Sequence, residues 1–115
     1  MSAPSRDWVA IGVEADIPAQ GARVVRTPFG DIAVFRTAAG EILAIDDRCP
    51  HRGGPLSQGI VHGDTVTCPL HNWVISLKTG EAQGADSGCV RTFAVRVERG
   101  TVLLAAAALG ARKAA

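Results

Sequence analysis

Apolar and polar residues alternate along the chain in short runs, and the runs are separated by glycine- and proline-containing turns. This pattern predicts strands over Trp8–Val13, Arg23–Arg26, Asp31–Arg36 and Glu41–Ile45, then over Thr65–Thr67 and Trp73–Leu77. The clearest is Arg91–Glu98, where Phe93, Val95 and Val97 alternate with Thr92, Ala94, Arg96 and Glu98 in the period of a half-buried strand. Val102–Leu104 follows it. Turns fall at Thr27-Pro28-Phe29-Gly30, Ala38-Ala39-Gly40, Lys78-Thr79-Gly80-Glu81 and Glu98-Arg99-Gly100-Thr101, each with a glycine that can take positive φ. Hairpins joined in this way predict an all-β fold, a small antiparallel sandwich or barrel. Beyond Leu104 the sequence becomes alanine-rich, so one domain is expected over residues 1–105 and a peripheral tail over 106–115.

Composition narrows the function classes. A chain of 115 residues, 47% hydrophobic, can build one core without disulfide staples. The net charge of +1 leaves no electrostatic footprint for nucleic acid. No apolar run is long enough to cross a bilayer, and the first residues lack the apolar segment of a signal peptide, so a cytoplasmic setting is expected. There is also no glycine fingerprint for a dinucleotide.

Chemistry concentrates in two segments. Cys49-Pro50-His51 and Cys68-Pro69-Leu70-His71 each carry one thiol and one imidazole, with 16 residues between them. Structural zinc sites more often draw like ligands from each arm, so a zinc-stabilised interaction module is the weaker reading of this spacing. The mixed pairing resembles the Rieske signature, in which two cysteines hold one iron of a [2Fe–2S] cluster and two histidines hold the other. The resemblance implies a Rieske-like fold with two ligand-bearing hairpin loops. It also implies one Rieske-type [2Fe–2S] cluster per chain, bound by Cys49, His51, Cys68 and His71. Gly53 and Gly54 would allow backbone to approach the cluster, and Pro50, Pro55 and Pro69 would stiffen the loops.

Electrostatics explain the use of histidine. Two ferric irons, two sulfides and two thiolates sum to a neutral oxidised centre, whereas four thiolates would leave it two units more negative and harder to reduce. Rieske potentials accordingly span about −150 to +300 mV, against about −400 mV for plant-type clusters. High-potential respiratory members carry an extra disulfide between the ligand loops. Here Gly54 and Leu70 stand at the matching places, and the chain has no tyrosine, so the lower part of the range is expected. Reduction should be pH-dependent in the alkaline range, which a redox titration against pH measures.

The resemblance extends over roughly Trp8 to Leu104. Cys68-Pro69-Leu70-His71-Asn72-Trp73, with Gly88-Cys89-Val90-Arg91-Thr92-Phe93, is similar to the small subunits of assimilatory NAD(P)H-dependent nitrite reductase. Ferredoxins that serve aromatic-ring dioxygenases usually have a proline-containing segment over the cluster, whereas no proline follows Pro69 here. The resemblance implies a large partner subunit carrying FAD, an iron–sulfur cluster and sirohaem, which reduces nitrite to ammonium. This chain would then be an electron carrier without a catalytic site of its own. A free-standing Rieske ferredoxin delivering electrons to an oxygenase is the alternative.

Five other positions are singled out. Cys89 is expected to pack as a small hydrophobe and His62 to sit at an exposed turn. Arg48 and Arg52 bracket the first ligand pair, either as solvated charges or as contacts for an acidic partner surface. Trp73 is expected chiefly to pack in the core.

Overall fold

The computed structural model describes residues 8–28, 30–50, 53–70, 72–84 and 87–105. Its strands are β1 (Trp8–Val13), β2 (Ala22–Thr27), β3 (Gly30–Arg36), β4 (Ile42–Asp46), β5 (Ile60–His62), β6 (Thr65–Thr67), β7 (Val74–Ser76), β8 (Thr92–Phe93), β9 (Val95–Glu98) and β10 (Thr101–Ala105). Two 3-10 turns, Glu14–Asp16 and Leu56–Gln58, are the only helical elements among the described residues. All strand pairings are antiparallel, in sheets ordered β1-β10-β9, β2-β3-β4-β8 and β5-β6-β7. The all-β antiparallel expectation is met.

The four-stranded sheet is central because β3 is apolar on both faces. Ile32-Ala33-Val34-Phe35 is buried throughout, the continuous run expected of a strand covered on two sides. Ile32 and Val34 pack with Ile17, Ala44, Val102 and Leu104, toward the sheet of β1, β9 and β10. Ala33 and Phe35 pack the opposite way, with Ile45, Leu56, Val66, Ile75 and Leu77, toward the sheet of β5, β6 and β7. Cys49 and Cys68 belong to this second cluster. Burying each large side chain here is worth roughly 1.5–3 kcal/mol, so the face that carries the two thiols is anchored by a substantial share of the core.

Two expectations are corrected. The stretch 91–98 is not one strand. It changes sheet at Ala94, with Phe93 opposite Ala44 on β4 and Val95 opposite Leu104 on β10. The period of two therefore holds while the neighbours change, and Val97 is 39% exposed rather than on a covered face. Strand β5 went unpredicted because three residues are too few to establish a period. It closes on β6 through Gly63, whose φ of +61° makes the turn. His62 lies exposed at the end of β5, as expected of that turn, with its Nε2 2.9 Å from Thr67 Oγ1. The 106–115 tail lies outside the described residues.

Candidate metal centre

The two cysteine segments reach the site by different routes. The first loop runs from β4 to β5, from one sheet to another. It turns tightly on itself, with the Cys49 amide donating to the Gly54 carbonyl (2.8 Å) and the Gly53 amide to the Cys49 carbonyl (2.8 Å). Gly53, at φ +73°, makes this reversal. The second loop caps the β6–β7 hairpin. The Cys68 amide donates to the Trp73 carbonyl (2.7 Å) and the Asn72 amide to the Cys68 carbonyl (3.1 Å), with Asn72 at φ +60°. Asparagine tolerates that left-handed conformation better than most residues.

The loops meet at Gly54. A β-carbon there would lie 3.1 Å from Cys68 Sγ and 2.9 Å from Leu70 Cδ1. The first loop therefore presents bare backbone to the thiol of the second. Leu70 fills the space beside it, at the position where the respiratory members carry a cysteine. Cys49 and Cys68 are 2% and 1% exposed, and neither is in a disulfide. His51 and His71 lie outside the described residues. Among the described residues no group of three or more His, Cys, Asp and Glu side chains is gathered around one point.

A third segment covers the first loop. Gly88, at φ +146°, sits so close to it that a β-carbon would lie 3.2 Å from Pro50 Cβ and 3.6 Å from Trp73 Cζ3. The segment is fixed from below by Ala82 N–H to Gly88 O (2.9 Å) and Val90 N–H to Gly80 O (2.8 Å). Trp73 packs, partly buried, against the cluster that contains both thiols, as the sequence suggested. Cys89 does not pack. It is exposed and lines an open cleft of about 540 Å³ together with Arg48, Cys49, Pro50 and Arg91. Its backbone bridges to Glu81 along the surface, which leaves the side chain on the outer side.

Sequence reading passed over two neighbouring acids that organise these segments. Asp47 closes the first loop at its exit, its Oδ1 accepting from the Ser57 amide (2.6 Å) and its Oδ2 from the Ser57 hydroxyl (2.8 Å). Asp46 reaches the covering segment, its Oδ2 accepting from the Arg91 amide (2.8 Å) and its Oδ1 from Arg91 Nη2 (2.8 Å). That hydrogen bond holds the Arg91 guanidinium protonated above its already high ordinary range. The available signal was position: two acids in a row at the end of a strand, directly before a ligand loop, have side chains on opposite sides and can fasten two different segments.

The donor chemistry suits an iron–sulfur group. Two buried thiols come from two loops that touch through an unsubstituted glycine, and both sit in a hydrophobic cluster with Leu56 against which Trp73 packs. Residues 7–94 match the Rieske [2Fe–2S] domain family. The chain belongs to that family. Its cofactor is a Rieske-type [2Fe–2S] cluster, and its role is that of a Rieske electron-transfer domain.

Among relatives of this Rieske domain, 4beta-methylsterol monooxygenase of Methylococcus capsulatus is 44% identical over 66 residues, 57% of this chain but 18% of that protein. The chain thus spans under a fifth of the length of the first curated relatives it matches. The 3-phenylpropionate/cinnamic acid dioxygenase ferredoxin subunit of Photorhabdus laumondii is 38% identical over 92 residues, 77% of this chain and 85% of its own. A chain from the oxygenase–ferredoxin complex of carbazole 1,9a-dioxygenase superposes with a TM-score of 0.78 at 26% identity, covering 87% of this chain and 94% of that one. A Mycobacterium tuberculosis chain assigned as an NADH-dependent nitrite reductase small subunit superposes with a TM-score of 0.77 at 22% identity, covering 85% and 93%. At that identity the likeness speaks for the fold.

Proposed function

We propose that this Rieske domain is the electron-transfer small subunit of an NAD(P)H-dependent nitrite reductase. In this reading Cys49 and Cys68 hold one iron of the cluster, and His51 and His71 hold the other. When bound, the cluster takes up and passes on one electron at a time. The chain's own residues hold the two loops together, shield the thiolate side with Gly88 and Trp73, and leave the second loop's tip toward a partner. A large subunit with FAD, an iron–sulfur cluster and sirohaem would bind NAD(P)H and nitrite, in the cytoplasm.

One observation carries the reading. The two sequence segments similar to nitrite reductase small subunits meet where Gly88, at the start of one, approaches Trp73, at the end of the other, and Pro50. A side chain at residue 88 would crowd Pro50 and be strained at φ +146°, so this cover over the first loop is built on glycine where oxygenase ferredoxins usually use proline.

A second reading is favoured by a specific finding, the 38% identity to a dioxygenase ferredoxin subunit across 85% of its length. Affinity capture of the tagged chain from nitrate-grown cells separates the two. Recovery of a sirohaem protein, and restoration of NAD(P)H-dependent ammonium formation on recombining the two, is the expected result. Reduction by a ferredoxin reductase with oxygenase turnover, and no sirohaem partner, would replace the first reading by the second. Iron, zinc and acid-labile sulfide analysis of anaerobically prepared protein tests the centre itself: zinc without sulfide would reject both.

A further inference from the structure

Asp46 ends β4 three positions before Cys49, and Arg91 begins the exit of the segment that covers it. The pair is joined in both directions. Asp46 N–H donates to Arg91 O (3.0 Å), the Arg91 amide donates to Asp46 Oδ2 (2.8 Å), and the guanidinium adds Nη2 to Oδ1 (2.8 Å) and Nε to both oxygens (3.2 Å each). Arg91 also lies over the Phe93 ring, 5.4 Å from its centroid. The Asp46 side chain is 18% exposed and that of Arg91 56%. Exposed ion pairs usually contribute little, but a sheltered carboxylate that binds both a guanidinium fork and a backbone amide is geometrically restrained. At its other end the segment rests on Pro50 and Trp73 through Gly88. Cys89 lies between the two fixed points and shares its cleft with Cys49.

We propose that Asp46 and Arg91 are positioning residues, a clamp that sets how closely residues 88–91 cover Cys49 and so how well water solvates the thiolate side of the cluster. The inference rests on Cys49 being a cluster ligand. Because the pair is neutral as a whole, its effect on the cluster is distinguishable from that of a lone charge. Reduction adds one negative charge to the centre. An unpaired Arg91 would favour it and an unpaired Asp46 would oppose it, so a purely electrostatic role predicts opposite shifts in Asp46→Ala and Arg91→Ala that cancel in the double variant. A clamp predicts that they do not cancel. The double variant, with wild-type net charge, lets water closer to the buried Cys49, stabilises the more negative reduced state and raises the potential.

The test is a double-mutant cycle on the holoprotein, read by redox titration, by decay of the cluster's visible absorption and by hydrogen exchange of the peptide spanning 88–91. The expected result is a double variant with a raised potential, about fivefold faster cluster loss and faster exchange of 88–91, with the fold retained by circular dichroism. The double variant Asp46→Asn/Arg91→Gln, which also keeps the net charge, serves if the alanine variants fail to fold, and should show the same changes in smaller measure. A double variant with wild-type potential, loss rate and exchange would overturn the clamp. If the wild-type chain binds no iron and sulfide, the ligand assignment fails instead, and exchange of 88–91 alone then decides whether the pair holds the segment.

Discussion

The two ligand loops solve one problem with different materials. The first crosses between sheets and adds side-chain hydrogen bonds to its backbone turn: Asp47 to Ser57 at its exit, and Asp46 to Arg91 across its cover. The second is the end of a hairpin and is closed by backbone hydrogen bonds, Cys68 N–H to Trp73 O and Asn72 N–H to Cys68 O, with Asn72 left-handed. Burial differs in the same sense. Leu56, at the end of the first loop, is fully buried, whereas Leu70 in the second is 55% exposed. A loop inside a hairpin inherits its register from the paired strands. A loop that leaves one sheet for another has no such template and needs polar groups at fixed places.

The largest expected effect treats the loops alike. Cys49→Ser and Cys68→Ser should each abolish cluster assembly, measured as iron and acid-labile sulfide per chain. Retention of a cluster by either variant would show that its thiol only packs. Next is Gly54, the point of contact. Gly54→Val would drive its side chain into Cys68 Sγ and Leu70, and an overpacking cost of about 1–3 kcal/mol is expected in denaturant unfolding. An unchanged midpoint would mean that the loops are not in register with each other.

Smaller effects should divide the loops. Asp47→Ala removes two hydrogen bonds and leaves the Ser57 amide without its acceptor, for a loss of about 1–3 kcal/mol. In the second loop Asn72→Gly removes the strain of φ +60° at an entropic cost, so the net change should stay within about 1 kcal/mol. Equal losses at both positions would erase the distinction. pH should not separate them through the clamp. The folded-state pKa of Arg91 is raised, so its stabilisation is fully present below the unfolded guanidinium value and is lost only above the folded one, beyond the ordinary alkaline range. A denaturation midpoint that falls between neutral and mildly alkaline pH only when Arg91 is present would contradict this.

Much of the fold was legible because alternation and turn glycines are local signals. Trp8–Val13 and Thr65–Thr67 match the observed strands, and the turns at Gly40, Gly80 and Gly100 have the positive φ that their sequence implies. Partner choice is not local, which is why the change of sheet at Ala94 left no trace in the period of two. Spacing singled out Cys49 and Cys68, and the structure buries both in one cluster. Asp46 and Asp47 were not, because a surface carboxylate and a clamping one look identical until the segments they bind are known. Cys89 was misjudged for a related reason: cysteine's average preference for burial says nothing about a residue on a covering loop.

The passage of one extended run through two sheets has a practical consequence for handling the molecule. The residues after the site's cover lead directly through β8 into β9, whose neighbour β10 is the last described strand. A fusion partner, surface linker or electrode tether attached beyond residue 105 would therefore load a strand mechanically continuous with that cover. The β2–β3 hairpin end is no more remote, because Asp31 O accepts from the Asp47 amide (2.9 Å) and Gly30 and Asp31 share a cleft with Asp46 and Arg91.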